Sequence, residues 1–249
     1  MVRALVTIDA SGLHYRDLNR YLREAVLGGQ RHIELHNVYG QRYIGTNLGE
    51  PVRLEIFGTP GNDLGAFMDG PTVVVHGNAQ DGCGNTMNDG QIVVHGRAGD
   101  IAGLSARGGK IFIRDSVGYR VGIHMKEYQG KRPCLVVGGT AQDFLGEYMA
   151  GGVLVVLGLD MPEGQAHRAR FIGTGMHGGV IYLRGRVEEH QLGREVGVTE
   201  LDAGDRAVLE ELVREFCRHF DLDESVILGG QFVKLFPLYL RPYGRLYAY

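Results

Sequence analysis

The chain has 249 residues, 40 of them glycine, with a formal net charge of −3 and a sequence pI near 6.4. That balance gives no electrostatic case for nucleic acid or an anionic membrane surface as a partner, and no apolar run approaches the ~18 residues of a membrane-spanning helix. Cys83, Cys134 and Cys217 lie far apart, which argues against a disulfide framework or paired-cysteine metal site and predicts free buried thiols in a soluble, cytoplasmic protein.

In chain order, Val2 to Ile8 alternates and predicts a strand. Ser11 or Asp9 then caps a helix with Leu18, Tyr21, Leu22, Ala25 and Val26 on one side, ended by Gly28 and Gly29. Such a segment is needed to cover the apolar end of the coils after it. Residues 31–57 predict one or two irregular coils, with Gly40, Gly45 and Gly49 out of phase.

From Gly58 the chain repeats itself. GTPGNDLGAFMDGPTVVVH, GNAQDGCGNTMNDGQIVVH and GRAGDIAGLSARGGKIFIR are each 19 residues long and close on a β-branched run. Asp115, Gly139 and Gly158 open further units up to Gly185, with insertions at Lys126 to Pro133 and at Leu159 to Arg168. A period near 20 residues with strands and no room for a helix means stacked β coils.

The closing strands align as Val73 to His76, Ile92 to His95, Ile111 to Arg114, Leu135 to Gly138, Leu154 to Leu157 and Ile181 to Arg184. One of their faces is wholly aliphatic, Val73/Val75 through Ile181/Leu183, and should point inward. A second interior column is Met68, Met87, Ala106, Met125, Met149 and Met176, because an unbranched thioether fills gaps between coils. Gly65, Gly84, Gly103, Gly122 and Gly146 recur at one phase, marking corners of positive φ or close approach. The fold expected is mainly β: a single-stranded, right-handed parallel β-helix of about six to seven coils, with α/β capping segments at both ends. The boundaries read as 1–30 for the N-terminal strand and helix, 31–190 for the β-helix, and 191–249 for a C-terminal helix and aromatic tail.

That C-terminal part opens at Asp202 or Asp205 with an amphipathic helix carrying Leu209, Leu212, Val213, Phe216, Cys217 and Phe220. The tail from Val226 to Tyr249 holds Phe232, Phe236, Tyr239, Tyr243, Tyr247 and Tyr249 with Arg241 and Arg245, too apolar to be left in solvent. The outward face of the closing strands, Val74, Val93, Phe112, Val136, Val155 and Tyr182, is an apolar stripe. The chain's own terminal helix or tail is expected to cover it; a partner protein or a second copy of the chain would be the other occupants.

Candidate chemistry is thin. GTGMHG, Gly173 to Gly178, matches a dinucleotide fingerprint but leads into a strand, so it reads as a coil corner. His76 and His95 share one phase on successive coils, about 5 Å apart, with the cation Arg114 next in line. Two imidazoles beside an arginine make a poor metal site and fit a solvated or partner-facing row. His124, with Lys126 and Glu127 nearby, has no serine or cysteine at matching phase. Asp63, Asp81, Asp100 and Asp143 recur at one phase, as corner hydrogen-bonding residues do. No catalytic, cofactor-binding or metal-binding residue is assigned.

The runs GTPGNDLGAFMDG, GNAQDGCGNTMNDG and GYRVGIHMKEY, with the lead-in IDASGLHYRDLN, resemble the GXGXG repeat domain over roughly residues 8–190. That domain is the C-terminal β-helix of the glutamate synthase large subunit, and the chain is similar to its stand-alone form. Related chains are the β-helix subunit of formylmethanofuran dehydrogenase and a subunit of N-methylglutamate synthase. The resemblance implies a non-catalytic cytoplasmic scaffold of glutamate biosynthesis and nitrogen metabolism. It would stand between an amidotransferase that releases ammonia from glutamine and a synthase chain whose FMN and iron–sulfur cluster serve to aminate 2-oxoglutarate. Met1-Val2 supplies no N-terminal cysteine nucleophile, and three dispersed cysteines cannot hold an iron–sulfur cluster, so both cofactors are expected in partner chains. The two insertions would be contact loops. The reading from another class, a β-helix enzyme acting on polysaccharide, needs a charged groove along one wall.

Overall fold

Strand side chains one coil apart lie over one another, and the register shows that stacking directly. The computed structural model describes residues 5–162 and 164–239. Val2 and the tail residues Arg241, Tyr243, Arg245, Tyr247 and Tyr249 therefore lie outside the described residues. Strand β1 (Val6–Asp9) is followed by helix α1 (Tyr15–Leu27) and then by β2 (His32–Tyr39) and β3 (Arg53–Thr59). The repeat strands are β4 (Asp69–His76), β5 (Asp89–Val94), β6 (Lys110–Ile113), β7 (Cys134–Val137), β8 (Ala150–Val156) and β9 (Gly178–Arg184). From β1 to β9 each strand pairs in parallel with the next, and one column runs Val6, Ile33, Leu54, Val73, Ile92, Ile111, Leu135, Leu154, Ile181. This is a parallel β-helix.

The first coils are more regular than their sequence suggests. β2 and β3 pair in register apart from one irregularity between Leu35 and Val38, and Gly45 takes the same corner position as the later glycines. The α1 N-cap is also displaced: His14 accepts from the Arg16 N–H, while Asp9 bonds Ser11 instead. Leu18, Leu22 and Val26 of α1 join the core of the first coils, whereas Tyr21 stays outside at 40% exposure.

Each corner follows one rule. Three alternate residues have positive φ: Tyr43, Gly45 and Asn47; Asp63, Gly65 and Phe67; Gly82, Gly84 and Thr86; Ile101, Gly103 and Ser105; Arg120, Gly122 and His124; Phe144, Gly146 and Tyr148; Phe171, Gly173 and Gly175. Only the middle position is glycine in every one of these corners. A Cβ there would meet an inward strand side chain: Ile92 and Met68 at Gly65, Leu135 at Gly103, Leu154 at Gly122, Ile181 at Gly146. The two outer positions face away from the core and admit side chains. Arg120 lies 4.4 Å from the Phe144 ring, Phe144 stacks on Phe171 at 4.9 Å, and His124 stacks on Tyr148 at 5.4 Å. The aspartate ladder bonds as its phase predicts, Asp81 accepting from the Asp100 N–H, Asp100 from Tyr119 and Asp143 from Arg170, each at 2.8 Å.

A left-handed non-glycine residue costs roughly 1–2 kcal/mol, so a corner with two of them costs roughly 2–4. Burial outweighs that: Leu64, Met68, Val73 and Val75 are each no more than 1% exposed, and each contributes roughly 1.5–3 kcal/mol. All six members of the methionine column are buried, Ala106 included.

The sheet ends on a change of direction. Helix α2 (Ala203–Phe220) starts at Asp202, whose carboxylate and that of Asp205 exchange bonds with each other's N–H. After α3 (Glu224–Leu228), the tail forms β11 (Phe232–Pro237), which lies antiparallel between β9 and β10 (Val196–Thr199). Among the described residues no helix is long and apolar enough to cross a membrane.

The corner rule separates two glycines of similar backbone. A Cβ at Gly103 (φ +72°) would sit 2.7 Å from Leu135, while Gly130 (φ +78°) has nothing within 4 Å. Gly130→Ala should therefore lose about 1 kcal/mol by denaturant unfolding and Gly103→Ala about 2–4 kcal/mol. Equal losses would contradict the clash.

Candidate functional site

The outward face of the closing strands divides into a covered and an uncovered part. Val74, Val93, Phe112, Val136, Val155 and Tyr182 form a second core with Leu209, Leu212, Val213, Phe216 and Cys217 of α2 and Ile227 of α3. The apolar stripe is thus closed by the chain's own terminal helices, the first of its expected occupants. Helix α2 runs back along the coils. Near its start Asp205 accepts from Tyr182 Oη at 2.7 Å and from Lys234 Nζ at 2.8 Å; at its end the Phe220 ring meets His95 edge-on at 5.1 Å. Between them, Glu215 accepts from Gln91 at 2.7 Å and from Lys110 at 2.6 Å. Burial would raise the Asp205 carboxyl, but Lys234 and Tyr182 outweigh it and hold the group below the usual range. Burial would likewise lower Lys110, yet its bond to Glu215 leaves it raised.

Beyond the end of α2 the columns turn polar and aromatic. His36, Phe57, His76 and His95 stack ring on ring, with centroids 4.5, 4.5 and 5.3 Å apart. The His76–His95 spacing is the one read from the repeat. Phe57 and His36, which continue the column toward the first coil, are legible only if the period is carried back through 31–57. Arg114 does not complete the row as a ligand; it pairs with Asp115 at 3.1 Å.

Two of the ladder's imidazoles are already engaged through Nε2. His76 Nε2–H donates to Glu55 at 2.6 Å, His36 Nε2 bonds Glu34 at 2.9 Å, and Arg53 shares Glu55 through a 2.5 Å ion pair. Glu55 is only 9% exposed, so these two donors compensate a carboxylate that would otherwise be costly to bury. His95 has its pKa lowered by burial first, then by the neighbouring charges of His76, Arg114 and His219. His219 is lowered chiefly by burial, with its Nε2 lacking a hydrogen bond among the described residues and its ring 5.0 Å from Phe112.

Other residues singled out from the sequence fall into place as structure. Gly173 and Gly175 of GTGMHG are corner residues leading into β9, and His124 is exposed on a corner. Cys83 stands inside with Leu64 and Ala102; burial pushes its thiol up to about 12 and that of Cys134 up to about 11, the reverse of an activated nucleophile. Among the described residues no three His, Cys, Asp or Glu side chains group to hold a metal ion. The first insertion folds onto the coils, Lys131 reaching Asp69 at 2.8 Å and Asp89 at 3.2 Å. In the second, buried His167 bonds the Arg184 carbonyl at 2.9 Å.

Comparison with known proteins agrees with this architecture. The pattern defining the GXGXG motif family matches residues 33–238. An uncharacterized protein of Methanocaldococcus jannaschii is 51% identical over 251 aligned residues, spanning 98% of this chain and 96% of the relative.

The histidines fix the direction of a pH effect. His95, His167 and His219 all have folded pKa values below the ordinary 6.5, so the unfolded chain takes up protons first as pH falls. Their contribution is present above pH 6.5 and is lost as pH drops through the folded values. Unfolding free energy should fall between about pH 7.5 and about pH 5, and fall less steeply in His219→Asn; an unchanged profile would contradict burial as the cause.

Proposed function

Taking as premise that the chain belongs to the GXGXG motif family, a family linked to glutamate synthase, we propose that it is a non-catalytic subunit of a glutamate-synthase-type complex. In this reading it holds an amidotransferase chain and a synthase chain carrying FMN and an iron–sulfur cluster at a fixed separation, for transfer of amide nitrogen from glutamine to 2-oxoglutarate. The observation that carries it is an unbroken sheet of eleven strands over a filled interior. At about 4.8 Å per strand this is a rod roughly 50 Å long, stiff enough to set a distance. Its side chains face inward as aliphatic columns, and α2 closes the stripe outside them, so what it offers partners is surface. The uncovered strip of His36, Phe57 and His76 and the two insertions are the surfaces assigned to those partners.

Co-purification from native extract tests the reading. A tagged chain should recover a flavin-containing chain and a glutaminase-active chain in fixed ratio, and Phe57→Gln with His76→Gln, the second keeping a donor for Glu55, should reduce that recovery while the chain stays folded. Recovery of the chain alone, or full recovery with the altered strip, would contradict it.

A further inference from the structure

We propose that the groove between α1 and the first corner binds a phosphate-bearing ligand with a planar ring, of the mononucleotide class. It is a separate feature from the wall and does not rest on the scaffold reading. The groove has a volume of about 430 Å³, within the range of small-molecule sites, and its walls include Tyr15, Arg16, Asn19, Arg23, Tyr43 and Thr46.

Its walls are joined before any ligand arrives. Asn19 Nδ2 donates to the Tyr15 carbonyl at 2.8 Å and to the Arg42 carbonyl at 2.9 Å, fastening the helix to the corner. The corner backbone is itself held in the left-handed region at Tyr43 (φ 62°) and Asn47 (φ 56°).

Cations crowd one side of it. Arg16, Arg20 and Arg23 follow at helical spacing, an arrangement of like charges that costs a helix stability unless something compensates it. Arg20 is paired with Asp17 at 3.1 Å. Arg16 and Arg23 have no carboxylate partner among the described residues; Arg16 Nε–H donates to the Tyr15 hydroxyl at 3.3 Å. Glu24 is the one carboxylate lining the groove among the described residues.

Two rings complete the chemistry. Tyr15 and Tyr43 meet edge to face at 5.7 Å, and the Arg42 guanidinium lies 5.0 Å from the first ring and 5.7 Å from the second. Guanidinium forks match phosphate oxygens, while tyrosine faces and stacked arginines accept a flat ring. Forks and rings on one wall select a ligand that has both parts.

Calorimetric titration of the full chain tests the proposal with five probes: adenosine 5′-monophosphate, ribose 5-phosphate, adenosine, inorganic phosphate and a polyglutamate peptide. The nucleotide should bind saturably, at least about tenfold tighter than either half alone or inorganic phosphate. Arg16→Gln with Arg23→Gln should weaken it about tenfold or more at unchanged melting temperature, Tyr43→Ala should weaken it too, and Arg97→Gln on a later coil should not. No saturable binding, equal binding of ribose 5-phosphate, or tighter binding of polyglutamate would each overturn the proposal, the last by making the groove a docking face for an acidic chain.

Discussion

The structure depends on a missing carbon. From Gly65 onward the middle glycine of each corner leaves a space inside the coil, and the end of a strand side chain from a later coil fills it, as Ile181 does over Gly146. Stacking, register and the left-handed corners follow from that fit. The backbone must turn through three alternate positive-φ residues to keep the glycine inward, and the flanking side chains are thereby carried outward. Strain at Ile101 or Thr86 persists because the coils above and below fix the turn.

The same geometry explains why one wall needs a cover. Strands with aliphatic side chains on both faces bury one face in the coil and leave the other wet, and the terminal helices answer that need over β4 to β9. Helix α2 is anchored through Asp205 at one end and Glu215 further along. Where the wall changes to Glu34, His36, Glu55 and Phe57, the cover stops, since ion pairs and stacked rings tolerate water. The boundary between scaffold interior and available surface is thus written in side-chain chemistry.

Much of this is legible in the sequence, because a fixed period turns a one-dimensional pattern into columns. The inward rows, the methionines, the corner glycines, the aspartate ladder and the α2 face all follow from spacing. The regularity of residues 31–57 is hidden by an irregularity between Leu35 and Val38, which shifts the phase and conceals His36 and Phe57 as members of the ladder. His14 escapes recognition as a cap because a ring nitrogen is an uncommon acceptor there. The outer corner positions are equally hidden: Tyr43, Ile101 and Phe144 carry no hint in their type of a left-handed backbone, which is imposed by neighbouring coils. The Arg and Tyr groove joins α1 to a corner 23 residues away from Asn19, a proximity that no local pattern encodes.

A double-mutant cycle between Gly146 and Ile181 tests the central fit most directly. A Cβ at residue 146 would lie 2.6 Å from Ile181 Cδ1, the carbon that Ile181→Val removes. The account predicts that Gly146→Ala costs about 1 kcal/mol less when Ile181→Val is already present than in the natural chain, the remaining cost being backbone strain. Strict additivity of the two substitutions would contradict it.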